Sequence, residues 1–253
     1  MTKIPKGHPR YESLMIRERL VSGFNDGLVA PEGMLAHGRG EAFDYLIGEK
    51  TQPFARKAID AAAAMLLIAD RPIVSVNGNA AALCPADMIS VATAARAGIE
   101  VNLFYRTEER VGKIVGALED AGAKKGTVLG RDPDARIPGL DGPRALCTSK
   151  GIFAADVVLV PLEDGDRTQA LKKAGKKVIT VDLNPMSRTA QAADVTIVDN
   201  LVRAMPLLAK RLGELAGEPR KELTGLIDGY DNTKILDEAM GLMKERLGRG
   251  VKG

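Results

Sequence analysis

A row of short apolar runs, rich in β-branched residues and parted by stretches of helical pattern, constrains this chain more than any other feature. The runs cover residues 73–76, 99–104, 156–160, 178–181 and 195–198, with a short further candidate at Val128-Leu129. Between them, residues 85–97, 108–121 and 168–174 carry helix-like spacing, and Gly98, Gly122 and Gly175 stand where a helix would stop. Apolar runs without polar alternation suit strands covered on both faces, and strands parted by helices imply parallel crossovers. The pattern predicts an α/β fold: a Rossmann-like, doubly wound, mostly parallel sheet with helices on both faces. Ahead of it the spacing predicts a helix over 11–25, a Gly/Pro loop as far as Gly40 and a helix over 53–69. The piece over 130–143 reads as a loop, and helices over 201–215, 220–227 and 233–247 follow the sheet. One domain is expected, with an N-terminal helical segment (1–70), a sheet core (71–200) and C-terminal helices (201–253).

Composition removes several classes of function. Of 253 residues, 45% are apolar and 27% charged, which is globular and not disordered. Five Phe, four Tyr and no Trp supply no aromatic platform for single-stranded nucleic acid, and a net charge of +3 argues for no nucleic-acid partner. Cys84 and Cys147 make neither a disulfide framework nor a metal-type spacing, and His8 and His37 are too few for most zinc chemistry. The apolar stretch 58–76 is broken by Asp60, Asp70, Arg71 and Pro72, so no membrane span is expected. The first residues, Met1-Thr2-Lys3-Ile4-Pro5-Lys6, lead into no apolar segment of a signal peptide, and a cytoplasmic protein is expected.

In an open parallel sheet, ligands bind beyond the carboxyl ends of the strands. Those ends are polar here: Asn77-Gly78-Asn79, Tyr105-Arg106-Thr107, the segment 161–167, the segment 182–189 and Asp199-Asn200. The opposite ends, at Arg71-Pro72, Gly98 and Lys176-Lys177, are plainer. Asn77-Gly78-Asn79 occupies the slot of a G-x-G-x-x-G turn but holds one glycine, and Arg106 stands where a ribose-binding acid would close the second strand. The triplet reads either as a plain turn or as an anion-holding loop at a helix start. Asp182 can accept from ribose hydroxyls or hold Mg2+, while Arg188 and Thr189 can donate to phosphate oxygens. The alternative for that loop is an Asx-turn with a capped helix and a surface arginine.

Two N-terminal features add to this. At about 100° per residue, Arg17 falls among Leu14, Leu20, Val21, Phe24 and Leu28 on one helix face. A guanidinium on a burying face must pair with an acid or reach an anionic ligand. His37-Gly38-Arg39-Gly40-Glu41 is expected in a loop whose glycines let backbone approach a ligand.

Four stretches carry a family resemblance: Ile4-Pro5-Lys6-x-His8-Pro9-Arg10-Tyr11-x-Ser13-Leu14, Ala36-His37-Gly38-Arg39-Gly40-Glu41-Ala42-Phe43-Asp44-Tyr45-Leu46, Val76-Asn77-Gly78-Asn79, and Val181-Asp182-Leu183-Asn184-Pro185-x-Ser187-Arg188-Thr189-Ala190. Together they closely resemble the archaeal phosphopantothenate synthetases, also called 4-phosphopantoate–β-alanine ligases. The resemblance implies a Rossmann-like homodimer of coenzyme A biosynthesis. Such an enzyme joins 4-phosphopantoate to β-alanine and cleaves ATP to AMP and diphosphate, with Mg2+. It also implies ATP contacts at Arg17, Arg39, Asp182, Leu183, Asn184, Arg188, Thr189, Asn200 and Leu201.

A carboxylate is a poor electrophile, so released AMP implies attack of the pantoate carboxylate on the α-phosphorus and an acyl adenylate that the amine then opens. On that scheme Asn77, Gly78 and Asn79 are expected at the phosphopantoate end with Arg106 as helper. His37, Arg39 and Asp182 are the expected catalytic set, with His37 placed to accept the amine proton. The metal ligands stay open. An NADP-dependent oxidoreductase, suggested by Arg106, and a non-catalytic nucleotide-binding module are the alternatives.

Overall fold

The computed structural model describes residues 4–162 and 165–248. Met1, Thr2 and Lys3, and Glu163 and Asp164 of the expected polar strand end, lie outside the described residues, as do the last residues of the C-terminal segment. The helices are α1 (Tyr11–Asn25), α2 (Pro31–Ile47), α3 (Pro53–Ile68), α4 (Gly78–Leu83), α5 (Pro85–Ala94), α6 (Glu108–Asp120), α7 (Gly165–Lys173), α8 (Arg188–Ala192), α9 (Leu201–Leu215), α10 (Arg220–Asp228) and α11 (Asn232–Gly248). The strands are β1 (Pro72–Val76), β2 (Gly98–Val101), β3 (Ala135–Arg136), β4 (Leu146–Cys147), β5 (Val157–Pro161), β6 (Lys177–Val181) and β7 (Val195–Ile197).

Five strands form one parallel sheet in the order β2-β1-β5-β6-β7. The order reverses at β1, with β2 laid on one side and β5, β6 and β7 on the other. A crevice therefore opens between the ends of β1 and β5, where the connections diverge to opposite faces. The doubly wound expectation holds. Both faces are covered, so the strands read as solid apolar runs while their side chains still alternate. Val157, Leu159, Ile179 and Val181 enter the larger core, which also holds the alanine-rich face of α3 and the apolar face of α9. Val158, Val160 and Val178 point the other way, onto Leu171 of α7 and Ile137, Cys147 and Ile152 of the connecting segment. Among the described residues no helix is long and apolar enough to cross a membrane.

Several expectations need correction. The segment before Gly40 is not a loop. It belongs to α2, which starts at Pro31, a residue suited to the first helical turn, and closes on Gly48 at φ 90°. The helix expected over 85–97 is α5, which stops at Ala94; a further short helix, α4, precedes it, and Pro85 opens α5 at its first turn. The second strand ends at Val101 and frees residues 102–104 to turn over the sheet edge. Val128-Leu129 yields only a single bridge from Leu129 to Glu100. Within the loop over 130–143, Ala135–Arg136 pairs antiparallel with Leu146–Cys147.

Arg17 is corrected too. Of the stripe around Arg17, helix α1 buries only Leu20; its other buried residue is Gly23. A Cβ on Gly23 would lie 2.5 Å from the Cβ of Ala82, so this side of α1 lies close against α4. Val21 and Phe24 are each left 42% exposed, and the Arg17 side chain 45%.

Candidate active site

The carboxyl ends of β1, β2, β5, β6 and β7 enclose a cleft of about 480 Å3. Helix α2 spans its mouth. Gly33 lies against Asn79 after β1, where a Cβ would sit 2.3 Å from Oδ1, and Gly40 faces Leu183 after β6 at 3.6 Å. Seven helical residues rise about 10 Å, and β1 to β6 is two strand intervals, also about 10 Å. The two spans match, so the helix bridges the sheet edge, with Gly33 at a contact too close for a side chain and Gly40 at an ordinary van der Waals distance. Gly33, Ala36, His37 and Gly40 follow the i, i+3, i+4, i+7 spacing of one face, and all four line the cleft. The His37–Gly40 string thus meets the cleft as a helix face, which corrects the loop expected there.

Of the residues singled out in the sequence, His37, Arg39, Asn77, Gly78, Asn79, Asp182, Leu183, Asn184, Arg188, Thr189, Asn200 and Leu201 line this cleft, and Arg17 and Arg106 do not. Arg17 grips Glu41 of α2 through Nε and Nη2, at 2.7 Å for the closest pair. Arg106 turns away and donates to the carbonyls of Gly130 and Arg131, tying that loop to the edge of β2.

Many cleft side chains are held by the fold itself. Asn77 caps α4 by accepting from Ala80 N, and its amide donates to the carbonyls of Pro161 and Leu162 across the crevice. Asn79 donates to the Gly33 carbonyl. Asp182 accepts from Asn184 N and from the Ser187 hydroxyl, Met186 N donates to Asn184 Oδ1, and Ser187 caps α8. This is the Asx-turn and capped helix start, and it sets Asp182 and Arg188 on the cleft wall. Burial pushes the Asp182 carboxyl above its usual range, against the Ser187 and Asn184 bonds and the charge of nearby Arg39. Asn200 caps α9 through Val202 N and donates to Asp44 of α2 at 2.9 Å. Burial lowers the His37 pKa, Glu41 and Asp44 act to raise it, and Arg17 to lower it. The ring is therefore neutral near pH 7 and can accept a proton.

The sequence reading missed several lining residues. Arg110, in the first turn of α6, donates through Nε to the Leu28 carbonyl and through Nη1 to that of Tyr105. Arg144 reaches the cleft from the connecting segment, with its guanidinium carbon 5.4 Å from the Phe104 ring centre. Arg144 and Phe104 also line a second cavity of about 450 Å3 on the outer side. Asn102 is buried in the wall and donates to the carbonyls of Arg144 and Leu146, fixing the loop that carries Arg144. A signal existed for Arg110 alone: a first-turn residue after a strand belongs to the edge where ligands bind. Among the described residues no group of three or more His, Cys, Asp or Glu gathers to hold a metal ion.

Comparison with known proteins shows the family. Residues 54–246 match the model of the phosphopantothenate/pantothenate synthetase family. A 4-phosphopantoate–β-alanine ligase of Thermococcus onnurineus is 51% identical over 253 residues, covering all of this chain and 97% of that protein. Its namesake from Thermococcus kodakarensis is 51% identical over 98% of this chain and 95% of its own length. The ligase of that name from Methanosarcina mazei is 51% identical over 98% and 96%. With a doubly wound sheet, a cleft at its switch point and relatives matching end to end, this chain belongs to the phosphopantothenate/pantothenate synthetase family.

Proposed function

We propose that the chain is an ATP-dependent acid–amine ligase that condenses 4-phosphopantoate with β-alanine, releasing AMP and diphosphate. The observation that carries the reading is one cleft lined by Arg39, Asp182, Asn184, Arg188 and Asn200 in a member of this family. ATP is assigned to the β6 and β7 side, where Arg39 and Arg188 meet the triphosphate, Asp182 meets ribose or Mg2+, and Leu183, Asn184, Thr189, Asn200 and Leu201 orient the nucleoside. Mg2+ fits there only as a companion of the triphosphate, whose oxygens and water supply most of its ligands while its charge is neutralised. The acid lies toward Asn77, Gly78 and Asn79. Because the side-chain amides of Asn77 and Asn79 are engaged within the fold, their part is to shape the wall.

The pantoate carboxylate attacks the α-phosphorus and diphosphate leaves; the β-alanine amine then attacks the acyl carbon and AMP leaves. The nitrogen sheds a proton in that second step, and His37, neutral on the cleft face of α2, is the assigned acceptor. The chain positions the groups, neutralises charge and excludes water. A homodimer is part of this reading. Val21 and Phe24 of α1 and Leu35 of α2 are exposed apolar side chains that a second copy would cover. Sedimentation velocity reads the oligomeric state directly.

Incubating the protein with Mg-ATP, 4-phosphopantoate and β-alanine is the decisive assay. AMP and a new amide in equal amounts are expected. ADP in place of AMP removes the adenylate, and no nucleotide cleavage leaves a binding module. The oxidoreductase alternative rested on the fold and on Arg106; Arg106 does not line the cleft, and the relatives compared above carry ligase names.

A further inference from the structure

Among the described residues, Glu49, Arg96 and Leu162 are the non-glycine residues with positive φ. Glu49 and Arg96 lie in the turns that end α2 and α5, where a left-handed residue is ordinary. Leu162 has no such excuse. It follows β5 at φ 52°, a region that costs a branched apolar residue free energy and that glycine enters freely. The fold imposes this backbone from two directions. Leu162 N donates to the Val181 carbonyl and carries the pairing of β5 with β6 one residue past the strand. Asn77, whose Oδ1 caps α4, donates from its side-chain amide to the carbonyls of Pro161 at 2.9 Å and Leu162 at 3.2 Å. Strain of this kind persists only where the surroundings over-determine it, and it gathers at functional sites.

The restraint puts an apolar side chain on polar ground. Leu162 lines the cleft and packs on the larger core. Asn77 and Asn79 stand after β1 on one side of it, Asp182 and Asn184 after β6 on the other. Strand β5 lies between those two strands, one interval of about 4.8 Å from each. With the acid toward β1 and the nucleotide over β6 and β7, carboxylate and α-phosphate meet over β5. The mixed anhydride formed there is open to water as well as to the amine. Polar side chains hold water beside it, whereas an isobutyl group anchored on the core takes the water's place.

We propose that Leu162 keeps water from the acyl adenylate, with Asn77 as a positioning residue that fixes the two carbonyls flanking it. The inference rests on the ligase reading and adds to it the choice between two nucleophiles. In the productive step the β-alanine nitrogen attacks the acyl carbon, the bond from that carbon to the phosphate oxygen breaks, AMP leaves and the nitrogen gives up a proton. In the wasteful step a water oxygen attacks the same carbon, AMP leaves and the water's proton passes to solvent. 4-Phosphopantoate is then regenerated, and ATP has been cleaved to AMP and diphosphate with no amide made.

Counting AMP and amide in one reaction mixture tests this on the wild type, Leu162→Ala, Leu162→Gly, Leu162→Met and Asn77→Asp. The wild type should yield AMP and amide in equal amounts, and little AMP when β-alanine is left out. Leu162→Ala and Leu162→Gly both remove the isobutyl group, and glycine also suits the positive φ, so it should fold where alanine does not. In each, AMP per amide should rise severalfold, and AMP should appear with 4-phosphopantoate and no β-alanine. Leu162→Met keeps the bulk and should keep the coupling. Asn77→Asp retains an oxygen to cap α4 but has no amide to donate, and should uncouple in the same way. A merely structural residue would lower both products together. An unchanged ratio in the alanine and glycine variants overturns the proposal, as does a methionine variant as uncoupled as alanine. AMP released from ATP alone also overturns it, since water would then be attacking the nucleotide. A wild-type ratio in Asn77→Asp overturns the part given to Asn77. If the wild type makes no amide, the ligase reading falls and this inference with it; if it makes amide while every variant keeps its ratio, the inference falls alone.

Discussion

Arg203 reaches Asp44 and Asp199 with a single guanidinium nitrogen, 2.6 Å from each, and so ties helix α2 to the end of β7. Asp199 also accepts from the Thr51 hydroxyl, and Asp44 from Asn200, which lines the cleft. The two carboxylates are almost wholly buried, so as anions they depend on this shared cation together with those hydrogen bonds. The position of the roof over the cleft therefore depends on a charge cluster at its back.

Arg203→Ala should cost about 3–5 kcal/mol, because it strands buried carboxylates without their cation. The loss should shrink as the pH falls. Burial already holds the Asp199 carboxyl above its ordinary value against the pull of Arg203 and Thr51. A carboxyl with a raised pKa in the folded chain binds protons that the unfolded chain does not, so acidification favours the fold until both forms are protonated. Urea unfolding of the variant at pH 7 and pH 5 checks this. An equal penalty at both values would mean that the variant takes up no proton at Asp199 between pH 7 and pH 5 that the wild type does not.

Gly78→Ala should destabilise by about 1–3 kcal/mol and lower activity beyond that loss. The added Cβ meets backbone, the Leu28 carbonyl, which moves only with the segment joining α1 to α2. It also displaces Arg110, whose Nε donates to the same carbonyl. Denaturant midpoints give the first effect. The Michaelis constant for 4-phosphopantoate in the folded variant gives the second.

The sheet was legible in the sequence because buried parallel strands need unbroken apolar runs, and a run such as 178–181 resembles nothing else. From the strands, the ligand edge followed. Helix α2 was not legible, because Pro31, Gly33, Gly38 and Gly40 read locally as breakers. Gly33 is small for a tertiary reason, the contact with Asn79, and local pattern carries no trace of it. Arg144 was equally hidden: it sits in a Gly/Pro segment and acquires meaning only when that segment folds over the end of β2. Arg17 was picked out for the wrong physical reason, since of the face it occupies only Leu20 is buried, while Arg17, Val21 and Phe24 are exposed. The ordinary alternative considered for it, a salt bridge to a neighbouring element, is what the structure contains.

That bridge bears on the nucleotide. An ion pair such as Arg17–Glu41, with the guanidinium 45% exposed, contributes on the order of 1 kcal/mol, less than several charge-assisted bonds to a polyphosphate. Arg17 can thus leave Glu41 for a phosphate at small cost, which reconciles its present partner with the ATP role that the resemblance assigns. Arg17→Ala is expected to lower stability by less than about 1 kcal/mol and to weaken ATP binding at least about tenfold. Unchanged ATP affinity in calorimetry would remove Arg17 from the nucleotide set and leave it as a tie between α1 and α2.

His37 carries the last expectation. Burial keeps its pKa below 6.5, although Glu41 and Asp44 favour the charged ring. If His37 takes the amine proton, kcat should fall as the pH drops through that lowered value, since the protonated ring has no room for another proton. His37→Gln should be slow at every pH and should lack this acid limb, while the Michaelis constant for ATP stays within about twofold. Stability should follow the same sign. The folded chain holds fewer protons at this site than the unfolded chain, so stability is lost as the pH falls below about 6.5, and the glutamine variant is spared that part of the loss. An acid limb that persists unchanged in His37→Gln would assign the titration to another group and leave β-alanine to enter as the free amine.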